Sequence, residues 1–196
     1  IAKPSAALLK AMIINGAEPL YQLRMYFGDL IPLGTVPSMY QGWGMARMDK
    51  TLAMKGADFF PSQLWDRQEI ANGQTRTFDI NFEPGAAGRE LCVTLTWWDP
   101  ITWLTTKKYL MNDLDLTVVV GGKVAFYPNG LGGPDRLNNV ERTCLRTTGG
   151  GKGEYKIYVA GTKVTDGKQR FSLVVSSRSV KDRKKRNCNT DVCNDF

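Results

Sequence analysis

From residue 68 to residue 177 the chain is a succession of short runs with apolar side chains on alternate positions, broken by glycine and proline. No stretch in that span follows a helical period. The clearest run is 109–120, Y-L-M-N-D-L-D-L-T-V-V-V, where Leu114, Leu116, Val118 and Val120 share one parity and Asp113, Asp115 and Thr117 the other. Such alternation describes a half-buried strand with its polar face outward. Residues 74–82 place Phe78, Ile80 and Phe82 on one face. Residues 90–98 place Leu91, Val93, Leu95 and Trp97 inward, with Cys92, Thr94 and Thr96 outward. Asp99-Pro100 stops that run. Gly121-Gly122 predicts a two-residue turn into a hairpin partner at 123–127. Further strands are expected at 139–146, 154–160 and 169–176. About eight short strands in some 110 residues imply a mainly β domain, a β-sandwich.

The first 55 residues have a different character. Residues 4–15, P-S-A-A-L-L-K-A-M-I-I-N, read as a helix with Pro4 in its first turn and Asn15-Gly16 as its stop. Its apolar residues cover nearly the whole circumference, as expected of a helix buried in a larger body. Residues 19–40 are punctuated by Pro19, Gly28, Pro32, Gly34 and Pro37. Gly42-Trp43-Gly44 then suggests a tight passage of backbone, and Asp49 is placed to cap a short helix over 50–54. Residues 56–68 read as a connector. Residues 178–196 hold six Lys/Arg against three Asp and read as a basic, solvated tail, so nearly half of the net charge of +7 lies outside the globular part. No nucleic-acid partner is expected from so mild a charge. No apolar run is long enough to form a transmembrane segment. The chain begins at Ile1 with no initiator Met, which reads as a processed or truncated product.

The chain contains no histidine. A Ser-His-Asp triad, a Cys-His dyad and the usual zinc hydrolase centres all need an imidazole, so none is complete within these residues. Ser5 and Ser172 have no conventional base. Thr148–Gly153 lacks the spacing of a phosphate loop and leads into a strand. Trp97, Trp98 and Trp103 flank Asp99-Pro100 and suit core or interface packing better than a ligand platform. Four cysteines, 92, 144, 188 and 193, allow three pairings.

One group has the chemistry of a ligand set. Asp113 and Asp115 lie on one face of one strand, about 6.6 Å apart along the backbone. They repel unless a metal cation, Lys/Arg or backbone donors lie between them. Asp135, Asn138, Asn139 and Glu141 add oxygen nearby in sequence. Calcium takes six to eight such oxygens, and Asp113, Asp115, Asp135 and Asn138 are the expected ligands. The alternative use of these side chains is to hydrogen-bond backbone at strand ends and turns.

Several of these segments carry a resemblance. M-N-D-L-D-L (111–116), N-N-V-E (138–141) and F-S-L-V-V (171–175) resemble the C-terminal jelly-roll domain of subtilisin-like serine proteases. The alkaline subtilases are nearest, and the P domain of proprotein convertases is a looser relative. Residues 4–17 are similar to the family helix N-P-S-A-A-L-L-K-A-L-L-I-N-G-A. Residues 42–49, G-W-G-M-A-R-M-D, are similar to its G-x-G-x-[IVL]-[ND] turn, although M-A-R-M-D departs from the usual Arg-Val-Asn or Arg-Ile-Asn. The serine motif would lie just upstream of Ile1. The resemblance covers about residues 1–177 and implies a jelly-roll β-sandwich (69–177) preceded by the terminal helices of a truncated α/β subtilisin-like domain (1–55). It also implies calcium around the 113–115 strand, an upstream protease domain as intramolecular partner, peptide or protein as the parent's substrate, and an extracellular or secretory location. On this reading the sandwich stabilises the protease domain or assists substrate binding. The alternative is a non-catalytic binding module for carbohydrate, protein or an anionic surface.

Overall fold

A computed structural model describes residues 3–24, 26, 28–54, 60–80, 90–101, 110–146 and 155–177. Its elements in chain order are α1 (Ala6–Gly16), β1 (Gln22–Arg24), β2 (Leu30–Pro32), α2 (Met48–Thr51), β3 (Phe60–Ala71), β4 (Thr75–Ile80), β5 (Glu90–Trp97), β6 (Asp113–Val120), β7 (Val124–Phe126), β8 (Val140–Arg146), β9 (Tyr155–Lys163) and β10 (Lys168–Ser177). β3-β10-β5-β8 form one antiparallel sheet and β4-β9-β6-β7 a second, while β1 and β2 pair in a small hairpin. The molecule is a mainly β sandwich.

The inward parities expected from sequence hold. Leu91, Val93, Leu95 and Trp97 of β5 meet Leu114, Leu116 and Val118 of β6, with Phe78 and Ile80 of β4, Ile157 and Val159 of β9, and Phe171, Leu173 and Val175 of β10. This core lies between the sheets, and its apolar area is the main source of stability.

The outer face of β5 differs from the expectation. Cys92, Thr94 and Thr96 were expected outward, and they are buried, because α1 lies across them. Leu8, Ala11 and Met12 of the helix pack on Val174 of β10 and Leu64 of β3. A strand covered on both sides carries no exposed polar face, whatever its alternation.

Other details also depart. The stretch read as a connector at 56–68 contains most of β3, a 12-residue strand paired to β10 along its length. The glycine turn takes three residues, since Val120 pairs with Val124. The short helix begins at Met48, with Arg47 rather than Asp49 at its N-cap. Gly44 has φ +97, and a Cβ there would meet the Glu18 carbonyl oxygen at 2.1 Å, so the close passage in Gly42-Trp43-Gly44 needs glycine at its third position. Thr148–Gly153, Trp103, Cys188, Cys193 and the basic tail lie outside the described residues.

Candidate functional site

The expected ligands lie at the mouth of the β6–β9 pair and in the loop that leads into β8. Asp113 and Asp115 open β6, where β9 runs alongside with a register shift between Asp113 and Leu114. The loop after the short 3-10 turn at Pro128–Gly130 brings Arg136 across them. Its Nη1 donates to Asp113 Oδ2 at 2.8 Å and to Asp115 Oδ1 and Oδ2 at 2.6 and 2.8 Å. Thr162 of β9 donates its hydroxyl to Asp115 Oδ2. The repulsion expected between the two carboxylates is thus relieved by a guanidinium. Contact with Asp115, and then with Asp113, holds the Arg136 pKa above its ordinary value.

Asp135 is buried and organises its own loop. Its Oδ1 accepts from the backbone N–H of Leu137 and Asn138 at 2.8 and 3.2 Å, and its Oδ2 accepts from the side-chain amides of Asn138 and Asn129. Asn129 also fastens this loop to β8: its Nδ2 donates to the Val140 carbonyl, and its Oδ1 accepts from Arg142 N–H. Asn138 therefore directs a donor, not its oxygen, at the acidic group. Burial pushes the Asp135 carboxyl up, but these hydrogen bonds outweigh it and leave its pKa below the usual value. Asp113 goes the other way. Burial raises it by more than Arg136 lowers it.

Glu141 completes the group from below. It is 0% exposed, and its Oε2 accepts from Leu116 N–H on the opposite sheet. Burial, against that hydrogen bond and with Asp115, Asp135 and Asp113 nearby, pushes its pKa up to about 9. Its Oε1 and the Oδ1 of Asp113 are buried with no hydrogen-bond partner. Buried oxygens left in this condition cost free energy unless something fills the place they face. Among the described residues, no three of these carboxylates bring oxygens within 4.8 Å of one another. Two oxygens of the group lack a hydrogen-bond partner, and the position between Asp113 and Asp115 is taken by Arg136.

The two serines considered as nucleophiles prove to be neighbours. Opposite Ser172, β3 carries a bulge, since Phe171 pairs with Gln68 and Leu173 with Trp65 while Arg67 adopts φ +50. The bulge turns Asp66 onto the helix terminus. Asp66 Oδ1 accepts from the hydroxyls of Ser5 and Ser172, and its Oδ2 accepts from Ser5 N–H at 2.9 Å. Ser5 in turn caps α1 by accepting from Leu8 N–H. Burial raises the Asp66 pKa, and the hydrogen bonds from Ser5 and Ser172 more than reverse that, so it stays a carboxylate and a weak base. With no imidazole in the chain, this trio is an anchor for the helix.

Three further contacts hold α1. Asn15, 1% exposed, donates to Thr94 Oγ1 at 2.9 Å and to the Cys92 carbonyl at 3.3 Å. Thr96 donates to the Ala7 carbonyl. Arg142 Nη2 reaches from β8 to the carbonyls of Asn15 and Ala17, where a cation also suits the helix dipole. Asn15, expected as a helix stop, is thus also a buried tie to β5, and Asp66 and Arg142 stand in no motif that marks them in the sequence. The only signal for Asp66 was its place beside Arg67 in a stretch with poor alternation.

Replacing Asp66 with Ala should cost about 2–3 kcal/mol, the scale of hydrogen bonds to a charged acceptor. Chemical denaturation checks it, and a loss below about 0.5 kcal/mol would remove the anchoring role. A depressed folded pKa stabilises above the unfolded value and loses that contribution as pH falls through the folded value. The Asp66 contribution should therefore vanish in acid, below the ordinary aspartate range, and the D66A variant should lack that part of the acid transition.

Trp98 is 75% exposed and lines a cavity of about 470 Å³ with Arg67, Lys168 and Arg170 near the start of α1. Lys168 and Arg170 both pair with Glu69, and Arg67 with Asp66, so each basic side chain of this rim has an acidic partner. Trp97, in contrast, is a core residue.

No family model matches the chain. Two curated proteins of Dictyostelium discoideum do resemble it: the serine protease/ABC transporter B family proteins tagB, 26% identical over 217 residues, and tagD, 27% identical over 223 residues. The alignments cover 87% and 88% of this chain and only 11% and 12% of those proteins, so the chain spans about a tenth of the length of the relatives it matches. The likeness is a distant one, to two proteins named as serine protease/ABC transporters.

Proposed function

We propose that this chain is the C-terminal part of a subtilisin-like serine endopeptidase, with the catalytic Asp, His and Ser upstream of residue 1. The parent would hydrolyse peptide bonds, and the sandwich would stabilise its protease domain or assist substrate binding. The observation that carries this reading is the two-faced helix α1. One face is sealed onto the sandwich by Asn15, Ser5 and Leu8, while Leu9 and Ile13 on the other are 48% and 46% exposed. Leu20, Tyr21, Leu23, Leu30 and Ile31, in and beside the β1–β2 hairpin, are exposed as well. A helix apolar on both faces fits between two bodies. The serine-protease names of the relatives support the same reading. The strand order supports a jelly roll: counted along the sandwich, the sheets run 1-8-3-6 and 2-7-4-5. The Cys92–Cys144 disulfide suits an extracellular or secretory location.

The test is a fluorophosphonate probe on the full parent protein. Covalent labelling lost on replacing the serine of its G-T-S-M-A motif supports the proposal. A full-length protein with the subtilisin fold and no labelling makes the parent a pseudoprotease and defeats the endopeptidase reading. A parent without that domain leaves the binding-module alternative, whose nearest support is the cavity beside Trp98.

The docking role makes its own prediction. Leu9→Asp with Ile13→Asp should change the stability of this chain alone by less than about 0.5 kcal/mol, because both side chains face outward. In the full parent the pair should lower the melting temperature of the protease domain. Equal melting temperatures there would show that α1 has no second partner.

Calcium is the proposed ligand of the acidic group. Asp113, Asp115, Asp135 and Asn138 would supply its oxygen donors.

A further inference from the structure

We propose that the free edge of β8 takes up an extended peptide as an added strand, with one apolar side chain of that peptide entering the cavity beside Cys144. Among the described residues β8 is an edge strand, with β5 as its one neighbour in the sheet. The Arg142 N–H and the Val140 carbonyl point away from β5, because both pair with the side-chain amide of Asn129. The even-numbered residues of β8 therefore turn their main-chain groups outward. The register agrees. Cys92 and Cys144 are directly opposed with Cα atoms 4.1 Å apart, the close spacing of a pair that exchanges no hydrogen bonds.

Asn129 thus covers the first half of this edge as a neighbouring strand would. The second half has no such cover. Among the described residues, the Arg142 carbonyl, the Cys144 N–H and carbonyl and the Arg146 N–H have no hydrogen-bond partner, and Cys144 and Arg146 are exposed. A row of free donors and acceptors at strand spacing is a template for another chain. Because the Arg142 N–H is already taken, the added strand is short and its register is fixed. Beside the same stretch is a cavity of about 260 Å³ with Pro19, Val36, Trp43, Tyr127, Arg142 and Cys144 in its walls. That is less than the about 300–1,000 Å³ of a small-molecule site and suits one side chain. Its charged groups, Glu90 and Arg142, are of opposite sign, so an uncharged, apolar side chain fits it. Arg142 also keeps a buried Nε without a partner, and a carbonyl of an incoming chain is the kind of acceptor it lacks. Main-chain pairing supplies the affinity and the cavity the side-chain preference. The inference stands apart from the endopeptidase reading, since this edge would bind a peptide whether or not the parent cleaves one.

The experiment titrates the full chain into a fluorescent seven-residue peptide of alternating threonine and valine with leucine at its centre, read by anisotropy. Saturable binding is expected, weakened when the central leucine becomes glycine. Two N-methylated peptides, one modified on odd and one on even residues, test the pairing. An added strand uses the N–H groups of one parity, so one version should lose at least about tenfold in affinity and the other stay within about twofold. On the protein side, Arg146→Pro removes an outward N–H where an edge strand tolerates proline, and Arg146→Ala keeps it. R146P should bind at least about tenfold more weakly than R146A. If R146P does not fold, the methylated pair decides alone. No saturable binding up to about 1 mM peptide, or equal binding of the two methylated peptides, overturns the proposal. A dimer of the full chain that R146P dissociates gives the edge to a second copy and overturns it as well.

Discussion

Breaking the Cys92–Cys144 bridge should cost this domain about 4 kcal/mol, on the chain-entropy scale for a link between residues 52 apart. The bridge joins β5 to β8 at directly opposed positions, so it closes a large loop that contains β6, β7 and the whole acidic group. Without it the unfolded chain gains the freedom of that loop, while the folded sheet keeps its ladder. The Cys92→Ala/Cys144→Ala variant should accordingly unfold at lower denaturant, with a melting temperature lower by on the order of 10 °C. The side-chain contacts add a chemical marker. Cys92 lies beneath α1, and Cys144 is exposed. After reduction, an alkylating reagent should modify Cys144 readily and Cys92 only as the domain opens. A loss under about 1 kcal/mol, or equal alkylation of both thiols in the folded state, would show that the bridge contributes little to closing the sandwich.

Trp97→Ala should cost about 3–5 kcal/mol, the range for removing a large buried aromatic side chain. Trp97 sits at the end of β5 with Leu95 and Phe171 in the same core, and its indole N–H donates to the Asn112 carbonyl at 3.1 Å. The alanine variant would leave a cavity and deprive that carbonyl of its donor. Asn112 is itself a hub. Its backbone N–H donates to Asp99, its Nδ2 to Gln169, and its Oδ1 accepts from Thr165 N–H and Oγ1. Trp97→Phe keeps most of the packing but loses the indole donor and part of the ring volume, so it should cost about 1–3 kcal/mol, less than the alanine variant. Urea unfolding of the two variants checks the order. A phenylalanine variant as damaged as the alanine one would mean that the hydrogen bond, not the volume, dominates.

The sandwich was legible in the sequence wherever a strand has one apolar face. Leu91 through Trp97 and Leu114 through Val118 needed only their parity to be oriented. β3 was not legible, because its Pro61, Asp66, Arg67 and Glu69 interrupt any alternation, and its bulge shifts the parity midway. The burial of Thr94 and Thr96 was also hidden, since the element covering them lies about 80 residues earlier in the chain and no local pattern reports it. For the acidic group, Asp113 and Asp115 could be placed on one face from spacing alone. Their answer to mutual repulsion could not. Arg136 stands in a glycine- and proline-rich loop where a lone arginine reads as solvated surface. Glu141 was visible as an oxygen donor, but its burial and its reach to Leu116 on the other sheet depend on how the two sheets stack.

Helix α1 makes polar contacts with every strand of one sheet: Asp66 of β3, Ser172 and Val174 of β10 through Ser5 and Asn15, Thr94 and Thr96 of β5, and Arg142 of β8. Such a helix behaves as a cleat across four planks. A pull applied at the N-terminal end of α1 would be distributed over all four strands at once, and no single edge strand would be peeled away. The boundary between helical and β segments near residue 55, sharp in sequence, is then no joint in a mechanical sense. Any body fixed to the free face of α1 would share the orientation of the sandwich and turn with it.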